Sequence, residues 1–125
     1  MLHCQFYKTN QQFVEGQWYQ ASTVGRSEPG GGRIVAVDPK TGQTVWHFDT
    51  VSPPSGGMLA TAGGLVFAGD AEGYLIAFDA KSGKVLWRFQ AGGTIIAPPI
   101  SYALDGRQYI AVAAGGTMIT FALPK

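Results

Sequence analysis

Two stretches of the chain carry the same order of apolar and polar positions. Ile34-Val-Ala-Val-Asp-Pro-Lys-Thr-Gly-Gln-Thr-Val-Trp-His-Phe48 aligns without a gap on Leu75-Ile-Ala-Phe-Asp-Ala-Lys-Ser-Gly-Lys-Val-Leu-Trp-Arg-Phe89. Each opens on a short apolar run, which reads as a strand buried on both faces, passes through a polar Asp-x-Lys-Thr/Ser-Gly turn, and ends on an alternating outer strand. The glycine fits a tight hairpin loop, where φ is positive. Asp38 and Asp79 stand where a carboxylate caps the turn through backbone amides. Trp46 and Trp87 are large enough to bridge the gap between neighbouring sheets. All these residues read as architectural, and neither aspartate as a catalytic carboxylate.

The two copies lie 41 positions apart. A repeat of about 40–45 residues with a strand-turn-strand core is the mark of a β-propeller blade. The predicted fold is therefore all-β: a partial β-propeller of about two and a half four-stranded blades. Residues 1–33 read as a linker-like segment, in which Phe13 to Tyr19 and a mobile Gly-rich loop, Gly25 to Gly32, replace the first two strands of a blade. Residues 34–50 read as the end of one blade and 54–92 as a full blade, with strands at Met58–Thr61, Leu65–Gly69, Tyr74–Asp79 and Lys84–Gln90. Residues 93–125 read as an incomplete last blade that turns at Asp105-Gly106 and lacks its outer strand.

Composition supports this and removes other classes. The 125 residues are 46% apolar, hold 18 glycines and are only 14% charged, against about 25% charged in typical soluble domains. Sheets covered on both faces, or membership of something larger, explain so little charge. Nine Lys plus Arg against eight Asp plus Glu give +1, so no basic stripe for nucleic acid or membrane surface exists. No apolar run reaches the roughly 18 residues of a membrane span, and Met1 to Asn10 shows no export signal. One cysteine, Cys4, excludes an intrachain disulfide.

Further segments carry a resemblance. Ser52-Pro-Pro-Ser-Gly-Gly-Met-Leu-Ala-Thr-Ala-Gly-Gly-Leu-Val-Phe-Ala-Gly69, Gly73 to Phe89, Gly93-Thr-Ile-Ile-Ala-Pro-Pro-Ile100 and Asp105-Gly-Arg-Gln-Tyr-Ile-Ala-Val-Ala113 resemble the carboxy-terminal part of the pyrroloquinoline-quinone (PQQ)-dependent methanol/ethanol dehydrogenases. The Tyr7-Lys8 and Phe13-Val-Glu-Gly16 region is similar to the linker ahead of that family's last blades. The resemblance implies an eight-bladed propeller of tryptophan-docked blades, a periplasmic setting, and PQQ with Ca²⁺ or a lanthanide on the propeller axis. It implies alcohol oxidation by hydride removal to the quinone, with metal ligands, catalytic Asp, vicinal disulfide and stacking Trp all upstream of this stretch. By that measure the chain lacks the catalytic groups, and no catalytic or metal residue is assigned to it.

One loop is a candidate for cofactor contact: Ser55, Gly56 and Gly57, where relatives usually carry Pro-Trp-Gly/Ala-Gly with the Trp at the quinone edge. Here Ser55 stands in the place of that Trp, and Thr117 follows Gly115-Gly116 where a second family Trp often stands. Gly56 and Gly57 allow either close backbone approach to a cofactor or a tight turn. The alternative reading is a non-catalytic interaction or scaffold module, because scaffold lipoproteins of outer-membrane assembly share the Asp-x-x-Thr-Gly-x-x-x-Trp hairpin.

Other candidate chemistry is thin. His3 and His47 have no third ligand at useful spacing, and adjacent His3 and Cys4 on an extended segment point to opposite faces. Gly30-Gly-Gly32 has no following helix or Lys-Ser/Thr for a phosphate loop. Asp70 and Glu72 read as a solvated hairpin loop. Last, an incomplete blade leaves the edge along Thr117 to Leu123 and the faces around Trp46, Trp87 and Phe89 bare. That predicts a homo-oligomer, contact with remaining propeller blades, or a cap from the chain's own Gln5 to Tyr19.

Overall fold

The computed structural model describes residues 5–8, 12–19, 23–26, 31–54 and 56–124, with the backbone alone for 5–8 and 23–26. Among the described residues there are eleven strands: β1 (Gln5–Lys8), β2 (Thr23–Arg26), β3 (Gly32–Val37), β4 (Thr44–Thr50), β5 (Met58–Ala60), β6 (Leu65–Gly69), β7 (Tyr74–Asp79), β8 (Val85–Gln90), β9 (Ile100–Leu104), β10 (Arg107–Ala114) and β11 (Thr117–Ala122). They form antiparallel sheets in the orders β1-β2, β3-β4, β5-β6-β7-β8 and β9-β10-β11. The last three make an unclosed stack, a partial β-propeller. Among the described residues no helix is long and apolar enough to cross a membrane.

Both repeat hairpins close as their sequence dictates. In each, Gly42 or Gly83 sits at φ near +70° and donates its amide to the carbonyl of Asp38 or Asp79. The Asp38 carboxylate accepts from the Lys40 amide at 2.8 Å, and that of Asp79 from the Ser82 amide at 2.8 Å and the Ser82 hydroxyl at 2.7 Å. A register shift adjoins the turn at the same place in both copies, between Ala36 and Val37 and between Ala77 and Phe78.

The middle sheet is the core because it has neighbours on both sides. One face of β6 and β7, with Phe67, Leu75 and Ala77, packs on Ile95, Ile110, Val112 and Ala114. The opposite face, Ala68, Ile76 and Phe78, packs on Ile34, with Trp46 and Phe48 against it. Phe78 is fully buried between the two rings of β4, 6.0 Å from Trp46 and 4.9 Å from Phe48. Burying a side chain of this size stabilises the fold by about 1.5–3 kcal/mol. Trp46 also reaches the next sheet's turn: Nε1–H donates to the Ala80 carbonyl at 2.9 Å. A Cβ on Gly83 would lie 2.6 Å from the indole Cδ2, so glycine is required there for space as well as for φ.

The first repeat differs from expectation. β3 is buried on one face only, with Val35 43% and Val37 51% exposed, because no described sheet covers the far side. Gly25 and Gly32 belong to β2 and β3 rather than to a loop. The middle of that loop, residues 27–30, lies outside the described residues. The β1 strand pairs with β2 and not with β11, so the chain's own amino-terminal strand does not cap that edge. In the last sheet, 94–99 is irregular and only Ile100–Leu104 pairs, while Ile95 plugs the junction at 0% exposure. The β9–β10 turn falls at Asp105-Gly106 as predicted, with φ of 51° and 73°.

Candidate functional site

The 51–57 loop connects the first sheet to the middle one and is held at several points. Thr50 Oγ1 donates to the Ser52 carbonyl at 2.7 Å, and the Ser52 hydroxyl donates to the Glu72 carboxylate in the β6–β7 turn. Ser55 lies outside the described residues. A Cβ on Gly56 would stand 3.2 Å from the Ile95 carbonyl oxygen, and one on Gly57 would stand 2.7 Å from Pro98 Cβ. At both positions a side chain would meet the chain's own 95–98 segment.

The β6–β7 turn also corrects the picture of a solvated loop. Asp70 is 7% exposed, accepts the Tyr74 amide at 2.7 Å on its carboxylate, and takes the Ile95 amide at 3.1 Å on its carbonyl. It closes the hairpin and anchors the segment leading into the last sheet. Glu72 is exposed, as is His47 on β4. Thr117 opens β11 at the surface, and His3 and Cys4 lie outside the described residues.

Among the described residues one ion pair forms, between neighbouring strands. Arg33 and Asp49 meet at 2.6 Å across β3 and β4, both more than half exposed. Their hydrogen bond raises the guanidinium pKa and lowers that of the carboxyl. An exposed pair of this kind is screened by solvent and contributes little to stability. It lines a shallow hollow with Gly31, Gly32 and Thr50, and a second hollow is walled by Gln12, Val14, Gln17, Trp18 and Tyr19. Among the described residues no three His, Cys, Asp or Glu side chains converge as a metal site would require.

The repeat decides the family. A PQQ-repeat model described as "Outer membrane protein assembly factor BamB" matches residues 30–123. The chain belongs to this β-propeller repeat family. Within it, the chain is 49% identical over 84 residues to the quinoprotein ethanol dehydrogenase of Pseudomonas putida, covering 67% of this chain and 14% of that protein. It is 42% identical over 109 residues to the 1-butanol dehydrogenase (cytochrome c) of Thauera butanivorans, covering 74% of this chain and 16% of the relative. The solved quinohemoprotein alcohol dehydrogenase of Comamonas testosteroni superposes with a TM-score of 0.70 at 38% identity, over 81% of this chain and 16% of that one. BamB of Moraxella catarrhalis superposes at 0.60 with 20% identity, over 79% and 28%, a shared fold alone.

In sequence and structure the chain thus resembles a portion of a PQQ-dependent quinoprotein alcohol dehydrogenase. It spans about one seventh of the length of the curated relatives it matches. The groups described do not by themselves fit a quinone or its metal. The Cβ directions of Gly56 and Gly57 face Ile95 and Pro98, and among the described residues no three His, Cys, Asp or Glu side chains converge beside them.

Proposed function

We propose that these residues serve as a structural sector of the propeller of a periplasmic PQQ-dependent alcohol dehydrogenase. In that reading 34–50 ends one blade, 54–92 is a full blade and 93–125 an incomplete one, and the partners are the remaining blades. PQQ and Ca²⁺ or a lanthanide bind to groups elsewhere in the propeller, with the Ser55 to Gly57 loop contributing backbone near the cofactor edge. The observation that carries the reading is the Trp46 junction, in which Nε1–H of one sheet is bonded to the turn of the next, within a segment about half identical to a quinoprotein ethanol dehydrogenase. A sector with its own sheet junctions supplies rigidity and shape, while the chemistry belongs to the cofactor and its ligands.

The 125-residue chain alone is expected to give no dye-linked oxidation of ethanol with added PQQ and Ca²⁺. Turnover by the purified chain would overturn the assignment of cofactor groups to other blades. Calorimetry with PQQ separates the rival: heat of binding supports a cofactor-edge role for residues 55–57, and its absence favours a cofactor-free repeat module.

A further inference from the structure

The 51–57 loop is tied on both flanks to one hairpin turn, Asp70 to Gly73 of the middle sheet. On the first flank the tie is a side chain: the Ser52 hydroxyl donates to the Glu72 carboxylate, a bond strengthened by the acceptor's charge. On the second flank it runs through the segment leading to the last sheet. The Ile95 amide donates to the Asp70 carbonyl at 3.1 Å, and the Ile95 side chain is fully buried. The Ile95 carbonyl oxygen then lies 3.2 Å from where a Cβ on Gly56 would stand.

The two ties differ in kind. Pro53 and Pro54 have no amide to donate, so the middle of the loop is held by contact. They lie so close to the start of β3 that a Cβ on Gly32 would stand 2.3 Å from Pro54 Cδ and 2.7 Å from Pro53 Cα. Apolar contact is non-directional: it limits how near the loop comes to its neighbours and not where along them it sits. The bond from Ser52 to Glu72 is directional and supplies that register. The turn that offers the acceptor is itself fixed. Gln90 Nε2–H donates to the Glu72 carbonyl at 3.1 Å, Gln90 Oε1 accepts the Gly92 amide at 2.9 Å, and the Ala91 amide donates to the Gly73 carbonyl at 2.8 Å. The Asp70 carboxylate closes the same turn on the Tyr74 amide. These bonds engage the backbone of Glu72 and leave its side chain to the loop.

We infer that Glu72 is the positioning residue of the 51–57 loop: through Ser52 it sets where the backbone of Gly56 and Gly57 lies. Its bearing on a cofactor rests on the proposed function, in which that backbone stands near the cofactor edge. An acceptor carried on a rigid hairpin preorganises a loop that has to present its backbone at a fixed place. What the Ser52 hydroxyl requires is an acceptor oxygen at that reach, which a glutamine side chain also provides and an alanine does not.

The test reads backbone order parameters of the full chain by ¹⁵N relaxation. Gly56 and Gly57 are expected at about 0.85, the value of rigid backbone, in the parent chain and in Glu72→Gln, and below about 0.6 in Glu72→Ala and in Ser52→Ala. The double variant Ser52→Ala/Glu72→Ala should be no looser than either single one, because all three remove the same bond. Tyr74, on the hairpin itself, should keep its order in every variant. Unchanged order at Gly56 and Gly57 in both alanine variants overturns the inference. So does equal loosening of Tyr74, which would make Glu72 a stabiliser of its own turn, and so does a loss in Glu72→Gln as large as in Glu72→Ala. No quinone enters the measurement. Failure of PQQ to bind therefore removes the cofactor-edge reading alone, and failure of the order parameters removes the role of Glu72 alone.

Discussion

The two copies of the repeat share one pattern of apolar, turn and tryptophan positions and have opposite environments. Trp46 is docked: its ring stacks on Phe78 and covers Gly83, and its N–H is bonded to Ala80. Trp87, at the equivalent position, stacks on Phe89 and touches Phe121 but stays 40% exposed. The inner strands differ in the reverse sense, since β7 is buried on both faces and β3 on one. Local sequence thus fixes the hairpin, and the neighbouring sheet fixes how much of it is buried. A repeat in such a stack has its energetics set by the next unit along.

Substitutions in matched pairs break or sharpen this contrast. The largest difference is expected between Phe78→Ala and Phe89→Ala. The first opens a cavity in a fully buried stack and should cost about 3–5 kcal/mol. The second removes a ring already more than a third exposed and should cost about 1 kcal/mol, read from urea midpoints. Next come Gly83→Ala and Gly42→Ala. Both place a Cβ at a φ near +70°, a shared cost of about 1–2 kcal/mol. Only at Gly83 does the new methyl meet an indole, adding about 1–3 kcal/mol, whereas Gly42 faces open space. Equal losses at the two glycines would mean that Trp46 is not docked in solution.

Smaller effects follow. Trp46→Phe removes the bond to Ala80 and should cost about 1 kcal/mol beyond the loss of ring area, while Trp87→Phe should leave stability nearly unchanged. The Asp79 turn gives a pH signature. The Ser82 hydroxyl and amide hold the Asp79 carboxyl below its ordinary pKa, so its stabilising effect is complete above the unfolded value of about 3.9 and lost as pH falls through the lowered folded value. In Ser82→Ala the carbon-detected titration of Asp79 should move back upward.

What was legible in the sequence is what the chain settles locally. Asp79 with Gly83 and Asp38 with Gly42 define their turns within five residues, so capping and φ could both be foreseen. The family lay in the same residues. Burial of Val35 could not be foreseen, because an apolar run reports the capacity to be buried and not the presence of a cover. Asp70 looked like a loop carboxylate since its burial depends on Ile95, 25 positions away in sequence. Gly56 and Gly57 were ambiguous for the same reason: the reason for their lack of side chains is Ile95 and Pro98, a contact between sheets. At the candidate site, then, sequence located the loop, and only packing showed what occupies its surface.

The central claim is that the Trp46 junction is formed and that Trp87 makes no equivalent bond to the described residues. Indole N–H exchange in the ¹⁵N-labelled chain tests it directly, with Trp46→Phe and Trp87→Phe for assignment. The account predicts a slowly exchanging Trp46 Nε1–H and a Trp87 Nε1–H that exchanges at the rate of a free indole. Equal exchange at the two, or protection at Trp87 alone, would contradict it.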